Sequence, residues 1–201
     1  METKNSETLQ VIFQRRSIRN YKNKSVSREL IDQVIQAGMM APSAMNRQPW
    51  KFYVLSNKEK IRTFSKEIAA IAFKDISRTG IKGILESAGH LLHFVHNFNI
   101  HAIQDPVFHG APVVIFLTAP EADEWAGLDL GMCAQNMMLA AKALGLDTCP
   151  VGFAKFVMNA AHFHELNIPE GEKVFLAIIL GYGNENPPVH ERERDKLVYL
   201  D

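Results

Sequence analysis

Arg15, Arg16 and Arg19 fall within five positions of one another, with Ser17 between them, in the stretch Arg15-Arg16-Ser17-Ile18-Arg19-Asn20-Tyr21. They open a zone, residues 8 to 28, that also holds Lys22, Lys24 and Arg28 and contains no Asp or Glu. The whole chain balances 22 basic against 22 acidic residues. A one-sign patch in a neutral protein calls for an anion, a partner or a solvated face. Arginine suits a phosphate because its planar fork makes paired, charge-assisted hydrogen bonds. A serine hydroxyl and nearby backbone N–H groups add the neutral donors that phosphate oxygens also accept. The chemistry that fits is a bound phosphate monoester. The other reading is a solvated basic face, and spacing alone does not choose between them.

A second constellation is Ala41-Pro42-Ser43-Ala44-Met45-Asn46-Arg47-Gln48-Pro49-Trp50. Two prolines bracket small and amide-bearing residues, which predicts an ordered loop. Other chemistries lack their motifs. Gly181-x-Gly183 follows a strand, but Asn184 to Pro188 cannot open the helix a dinucleotide fingerprint needs. There is no phosphate-binding lysine loop, no G-x-S-x-G and no H-E-x-x-H. His90, His93, His96, His101 and His109 lie in one stretch, three of them at i, i+3, i+6, without the acidic ligands or context of a metal site. A phosphate-grade cluster, an amide-rich loop and no triad suit a protein whose chemistry belongs to a bound cofactor.

These residues need elements to hold them. Leu9, Ile12 and Phe13 predict a helix over 6–15, so the arginines lie where it ends. Ser27 caps a helix carrying Leu30, Ile31, Val34, Ile35 and Met39, and Pro42 stops it. Residues 51–55 read as a strand and 57 to about 73 as a helix with Ser56 or Asn57 as cap. The continuous apolar run 111–118 reads as a central strand buried on both faces. Trp125 to Leu144 reads as the longest helix, apolar around much of its girth and rich in Gly and Ala for close packing, with Gly145 as its stop. A short strand or turn at 146–153, a helix at 155–167, a turn at 169–172, a strand at 174–180 and a strand-like 197–200 complete the chain.

With 201 residues, almost half of them apolar, one domain with a sizeable core is expected, the alternative being two small domains. The zero formal charge argues against broad nucleic-acid binding and favours burying surface in an oligomer. The polar start has no apolar run behind it, and no run is long enough for a membrane, which predicts a cytoplasmic protein. Cys133 and Cys149 read as free thiols.

In order and spacing, Arg15 to Tyr21, Ala41 to Trp50, Gly110-Ala111-Pro112, the helix from Asp129-Leu130-Gly131 to Gly145-Leu146, and Leu180-Gly181-Tyr182 resemble the FMN-dependent nitroreductase family. The resemblance runs from about residue 8 onward; 74–110 carries no matching motif. It implies an α+β fold: a central mixed, mostly antiparallel sheet flanked by helices, one domain over 1–201; separately, the glycines, the aromatics Phe94, Phe98 and Phe108 and the length of 74–110 fit a cap over the flavin site. It also implies an intertwined homodimer with FMN at the interface. Arg15, Arg16 and Ser17 would hold the ribityl phosphate region, and Arg19 the pyrimidine edge. Pro42, Ser43, Ala44, Asn46 and Gln48 would come from the other subunit. Pro150, Val151 and Gly152 would lie near the reactive edge, and Arg192 or Arg194 would add a late cation to the phosphate. The activity implied is NADH- or NADPH-driven ping-pong reduction of a small electron-poor acceptor, a nitroaromatic or quinone, with no catalytic side chain, metal, nucleic acid or membrane. A non-catalytic flavin store, or other flavin chemistry such as dehalogenation or flavin fragmentation, stays open.

Overall fold

A computed structural model describes residues 6–78, 104–192, 196 and 198–200. Its centre is β2, Val113–Pro120, whose residues are buried along their length except the last. β2 lies between β1 (Lys51–Leu55) and β4 (Glu172–Gly181), and β3 (Asp147–Val151) closes the order β1-β2-β4-β3, every pair antiparallel. Strand side chains alternate between faces, and here each face has its own core. Val114 and Phe116 join Phe64, Ile68 and Phe108 on one side. Val113, Ile115 and Leu117 join Val34, Leu130 and Met137 on the other. This is why 111–118 reads as an unbroken apolar run.

Among the described residues, four α-helices frame the sheet. α1 (Glu7–Gln14) is capped by Ser6, whose Oγ accepts from Leu9 N at 3.3 Å. α2 (Arg28–Met39) is capped by Ser27, which accepts from Leu30 N at 3.4 Å. α3 (Lys58–Arg78) starts at Asn57, whose Oδ1 accepts from the N–H groups of Glu59 and Lys60 at 3.0 Å each. α4 (Ala126–Ala143) ends in a Schellman turn. Gly145 takes φ +75°, its N–H bonds Lys142 O, and Leu146 N bonds Ala141 O at 2.8 Å. α2 and α4 approach closely at Gly38, where an added Cβ would lie 2.5 Å from Met137 Cγ.

Three expectations need correction, and one is refined. Among the described residues the longest helix is α3, at 21 residues, and not α4, at 18. Residues 155–167 form two 3₁₀ pieces, Gly152–Asn159 and Phe163–Leu166, instead of an α-helix. Within the first piece the buried residues are Ala154 and Val157, three apart, which a 3₁₀ turn places on one face. Residues 198–200 form no strand; they are exposed, and no strand edge pairs with them among the described residues. The loop at 41–50 contains one 3₁₀ turn, Ala44–Asn46. Most of the expected cap, with His90, His93, His96 and His101, lies outside the described residues.

Candidate functional site

The arginine stretch leaves α1 and is built into the sheet edge. Ser17 bridges Thr148 of β3 in parallel sense, with Ile18 N donating to Thr148 O at 3.0 Å. Tyr21 bridges Gly183, and Arg19 N donates to Glu185 Oε1 at 2.5 Å. Alternation then sends Ile18 into the core, while Ser17 and Arg19 face outward. Arg16 Nη1 donates to Phe13 O at 2.6 Å and Arg15 O at 2.7 Å, satisfying carbonyls at the end of α1. The cluster converges on Cys149. Burial pushes that thiol up, while the Arg19 charge, the nearby Ser17 hydroxyl and the Arg15 charge pull the other way. The Tyr21 hydroxyl is buried with no partner among the described residues, and burial pushes it well above the ordinary phenol range.

His109 faces the same cluster from a strained turn. Its φ is +56°, rare for a residue with a Cβ. The Asp105 carboxylate enforces the turn by accepting Phe108 N at 2.9 Å and Gly110 N at 2.8 Å, and His109 N donates to Asp105 O at 3.1 Å. Burial, and after it the Arg19 charge, push the imidazole down to about 4, so it is neutral at pH 7.

The second constellation is held differently. Met45, Asn46 and Gln48 take φ of 51°, 54° and 49°, three left-handed non-glycine residues within four positions. Each such residue costs on the order of 1 kcal/mol or more and persists only where its surroundings fix it. The fixing groups are visible. Asp129 of α4, buried, accepts Ala44 N through both oxygens at 3.1 and 3.2 Å. Ser43 Oγ accepts Gln48 N at 2.9 Å, Gln48 Nε2 donates to Asn46 Oδ1 at 2.9 Å, and Arg47 reaches Asp123 at 3.7 Å. Pro42 lines an open cleft of about 430 Å³ on α4 with Leu128, Gly131 and Met132.

The two constellations are thus tied to opposite ends of one helix. The loop is anchored at Asp129, and the arginine stretch lies by Lys142, which lines a cleft together with Arg16. Thirteen residues of helix separate those anchors, about 20 Å at the α-helical rise. β3 runs on from the arginine end to Val151, buried, and Gly152, exposed, with Pro150 exposed before them. A Cβ at Gly152 would meet nothing within 4 Å, and the same holds at Gly131 inside α4. Neither glycine has a positive φ, so neither packing nor backbone conformation within this chain requires glycine there. Arg192 lies exposed in the tail, with Nη1 donating to His190 O at 3.3 Å; Arg194 lies outside the described residues.

Asp129, Lys142 and His109 were not among the sequence-derived candidates. Asp129 gave one signal: an acid among the buried positions of an apolar helix, which needs partners to be tolerated. The Asp105 turn closes within six residues and Lys142 pairs with Asp147 five positions on, but the placement of Lys142 beside Arg16 depends on chain segments distant in sequence and left no local mark.

An arginine cluster clipped to a sheet edge and a strained amide loop bound to Asp129 stand in one α+β protein. The chain belongs to the nitroreductase family, which it matches over residues 12–182, and with it to the NAD(P)H-dependent flavin oxidoreductases. It is 29% identical to a 4-nitrobenzoate reductase of Pseudomonas putida over 90% of this chain and 87% of that protein. It is 28% identical to an NADPH-flavin oxidoreductase of Vibrio harveyi, over 93% of this chain and 70% of that protein. The fold matches a nitroreductase with bound FMN from Desulfitobacterium hafniense with a TM-score of 0.73 at 27% identity, covering 96% of this chain and 98% of that one.

Proposed function

We propose that two copies of this chain together bind FMN and use it to reduce a nitroaromatic or quinone at the expense of NADH or NADPH. One observation carries the reading: the donors suited to a phosphate and the strained amide loop sit at opposite ends of α4. A two-fold axis across α4 brings the arginine end of one copy to the loop end of the other, as isologous association requires. Two further features support it. α1 buries none of its residues, and Leu9, Ile12 and Phe13 present a row of exposed apolar side chains. Gly131 costs a helix interior about 1 kcal/mol against alanine, and a close neighbour from outside the chain gives it a use.

The residues fit the cofactor by their donor chemistry. Arg15, Arg16 and Ser17 bind the phosphate region, with Arg192 or Arg194 as the late cation. Arg19 lies at the pyrimidine edge, where a fixed cation favours the charge that reduction develops. Pro42, Ser43, Ala44, Asn46 and Gln48 close the site from the other copy, and Pro150, Val151 and Gly152 leave backbone groups and open space by the reactive edge. When bound, FMN supplies the two-electron chemistry, taking hydride from the nicotinamide and passing electrons to the acceptor. The protein orients, excludes water and tunes charge. No described helix is long and apolar enough to cross a membrane, and both described cysteines are free and buried, which supports a reducing cytoplasm.

The experiment is an absorbance spectrum of the purified chain loaded with FMN, followed by anaerobic addition of NADH or NADPH and then nitrobenzoate or a quinone. Flavin absorbance that bleaches with donor and returns with acceptor is the expected result. A chain that stays colourless with saturating FMN refutes the proposal. Flavin that binds but is never reduced by either nicotinamide favours a flavin store.

A further inference from the structure

The cleft beside the arginine stretch, about 430 Å³, is lined by Gln14, Arg16, Lys142, Asn186 and the Pro187–Val189 segment. Every polar side chain among these carries N–H donors, and none is acidic. Arg16 is fixed there by its two carbonyl bonds, both made through Nη1. Lys142 comes from the last turn of α4, far from the arginines in sequence. Its ammonium donates to Asp147 Oδ1 at 3.1 Å, and Asp147 Oδ2 accepts Gly183 N at 3.2 Å. Gly183 in turn bridges Tyr21. One carboxylate therefore ties Lys142 to the loop on which the arginine stretch is pinned. It uses one of three ammonium donors, and two cations face the cleft against that single carboxylate.

We infer that Lys142 is a phosphate-binding residue of this site: with Arg16, and with the amides of Gln14 and Asn186, it grips the phosphate monoester of the flavin nucleotide. The inference rests on the FMN reading above. The simpler role for a lysine in this position is to complement the negative end of α4. That role has no preference for a phosphorylated over an unphosphorylated flavin, and the proposed one does.

The test is titration of the full-length apoprotein with FMN and, separately, riboflavin, followed by quenching of flavin fluorescence, for wild type, Lys142→Ala and Lys142→Arg. Loss of one charge-assisted hydrogen bond to phosphate weakens binding about 10–100-fold. Lys142→Ala should lose FMN affinity by that factor with riboflavin affinity unchanged, and Lys142→Arg should recover most of it. Inorganic phosphate should compete with FMN in wild type and less in Lys142→Ala. Equal losses for FMN and riboflavin assign Lys142 to the scaffold and overturn the inference. So does a variant that changes the KM for NADPH but not NADH while holding FMN normally, because the cation then serves the donor's own phosphate. If wild type binds FMN and Lys142→Ala binds it equally well, this inference alone falls; if wild type takes up no FMN, the parent reading falls with it.

Discussion

The arginine stretch and the 42–48 loop are both irregular segments beside α4, yet they are held in opposite ways. Backbone bridges at Ser17 and Tyr21 pin the arginine stretch to the sheet, and its guanidinium groups project from an unstrained extended chain. The loop has no such ladder. It is bent through three left-handed residues and held by the Asp129 carboxylate and by bonds within itself. The first arrangement supplies charge that tolerates small displacements, because cation–phosphate attraction is long-ranged. The second fixes neutral amides closely, which is what short hydrogen bonds to a planar ring system need. On the proposed reading, this contrast gives anchoring to one end of α4 and orientation to the other.

The largest effect should come from the anchoring end. Arg15→Ala combined with Arg16→Ala removes two charge-assisted contacts of about 1.5–3 kcal/mol each. FMN affinity should drop roughly 10²–10⁴-fold, while riboflavin, titrated in the same way, changes little. A matching loss for riboflavin would place those arginines away from the phosphate. At the orienting end, Asp129→Ala leaves Ala44 N unsatisfied and releases the strained turn. Denaturant titration should show a loss of about 1–3 kcal/mol; an unchanged midpoint would mean that the loop holds itself.

His109 separates the two regions by pH. Its folded value of about 4 lies below the ordinary 6.5. The unfolded chain therefore binds more protons between those values, and stability is lost as pH falls through that window. Urea midpoints measured from pH 7 to 4 should fall less steeply for His109→Gln than for wild type. Parallel slopes would remove His109 from the account. The smallest effects belong to Tyr21 and Gly152. Tyr21→Phe deletes a buried hydroxyl that has no partner among the described residues and should raise stability by about 1 kcal/mol. Gly152→Ala adds a methyl into open space and should leave stability within about 0.5 kcal/mol; a lower bound-flavin content in that variant would mark where the cofactor lies.

The sequence carried the elements whose signal is local. The apolar run at 111–118 announced a central strand, Ser27 announced a cap, and Gly145 announced the end of α4. The candidate site was legible as two motifs, because arginine clustering and proline-bracketed amides survive without tertiary information. Their relation was not legible. Only the fold shows that Asp129 binds the loop, that Lys142 lies in a cleft with Arg16 and that Ser17 lies beside Thr148. The 3₁₀ pieces at 152–166 went unread because, over such short spans, periods of 3.0 and 3.6 place nearly the same residues inside. The tail at 198–200 went wrong because β-branched and aromatic residues report a tendency to pair, and a strand also needs an edge to pair with.

The central claim, that one cofactor site draws its anchoring and orienting halves from two copies of the chain, can be tested by subunit complementation. Arg15→Ala/Arg16→Ala and Asn46→Ala/Gln48→Ala chains, differently tagged, are co-expressed, and the mixed species is purified and its FMN content measured. Each variant alone should bind little FMN. The mixed dimer should regain one normal site in two, because one interface pairs intact arginines with an intact loop. A mixed species as empty of FMN as its parents would contradict the claim and return the whole site to a single chain.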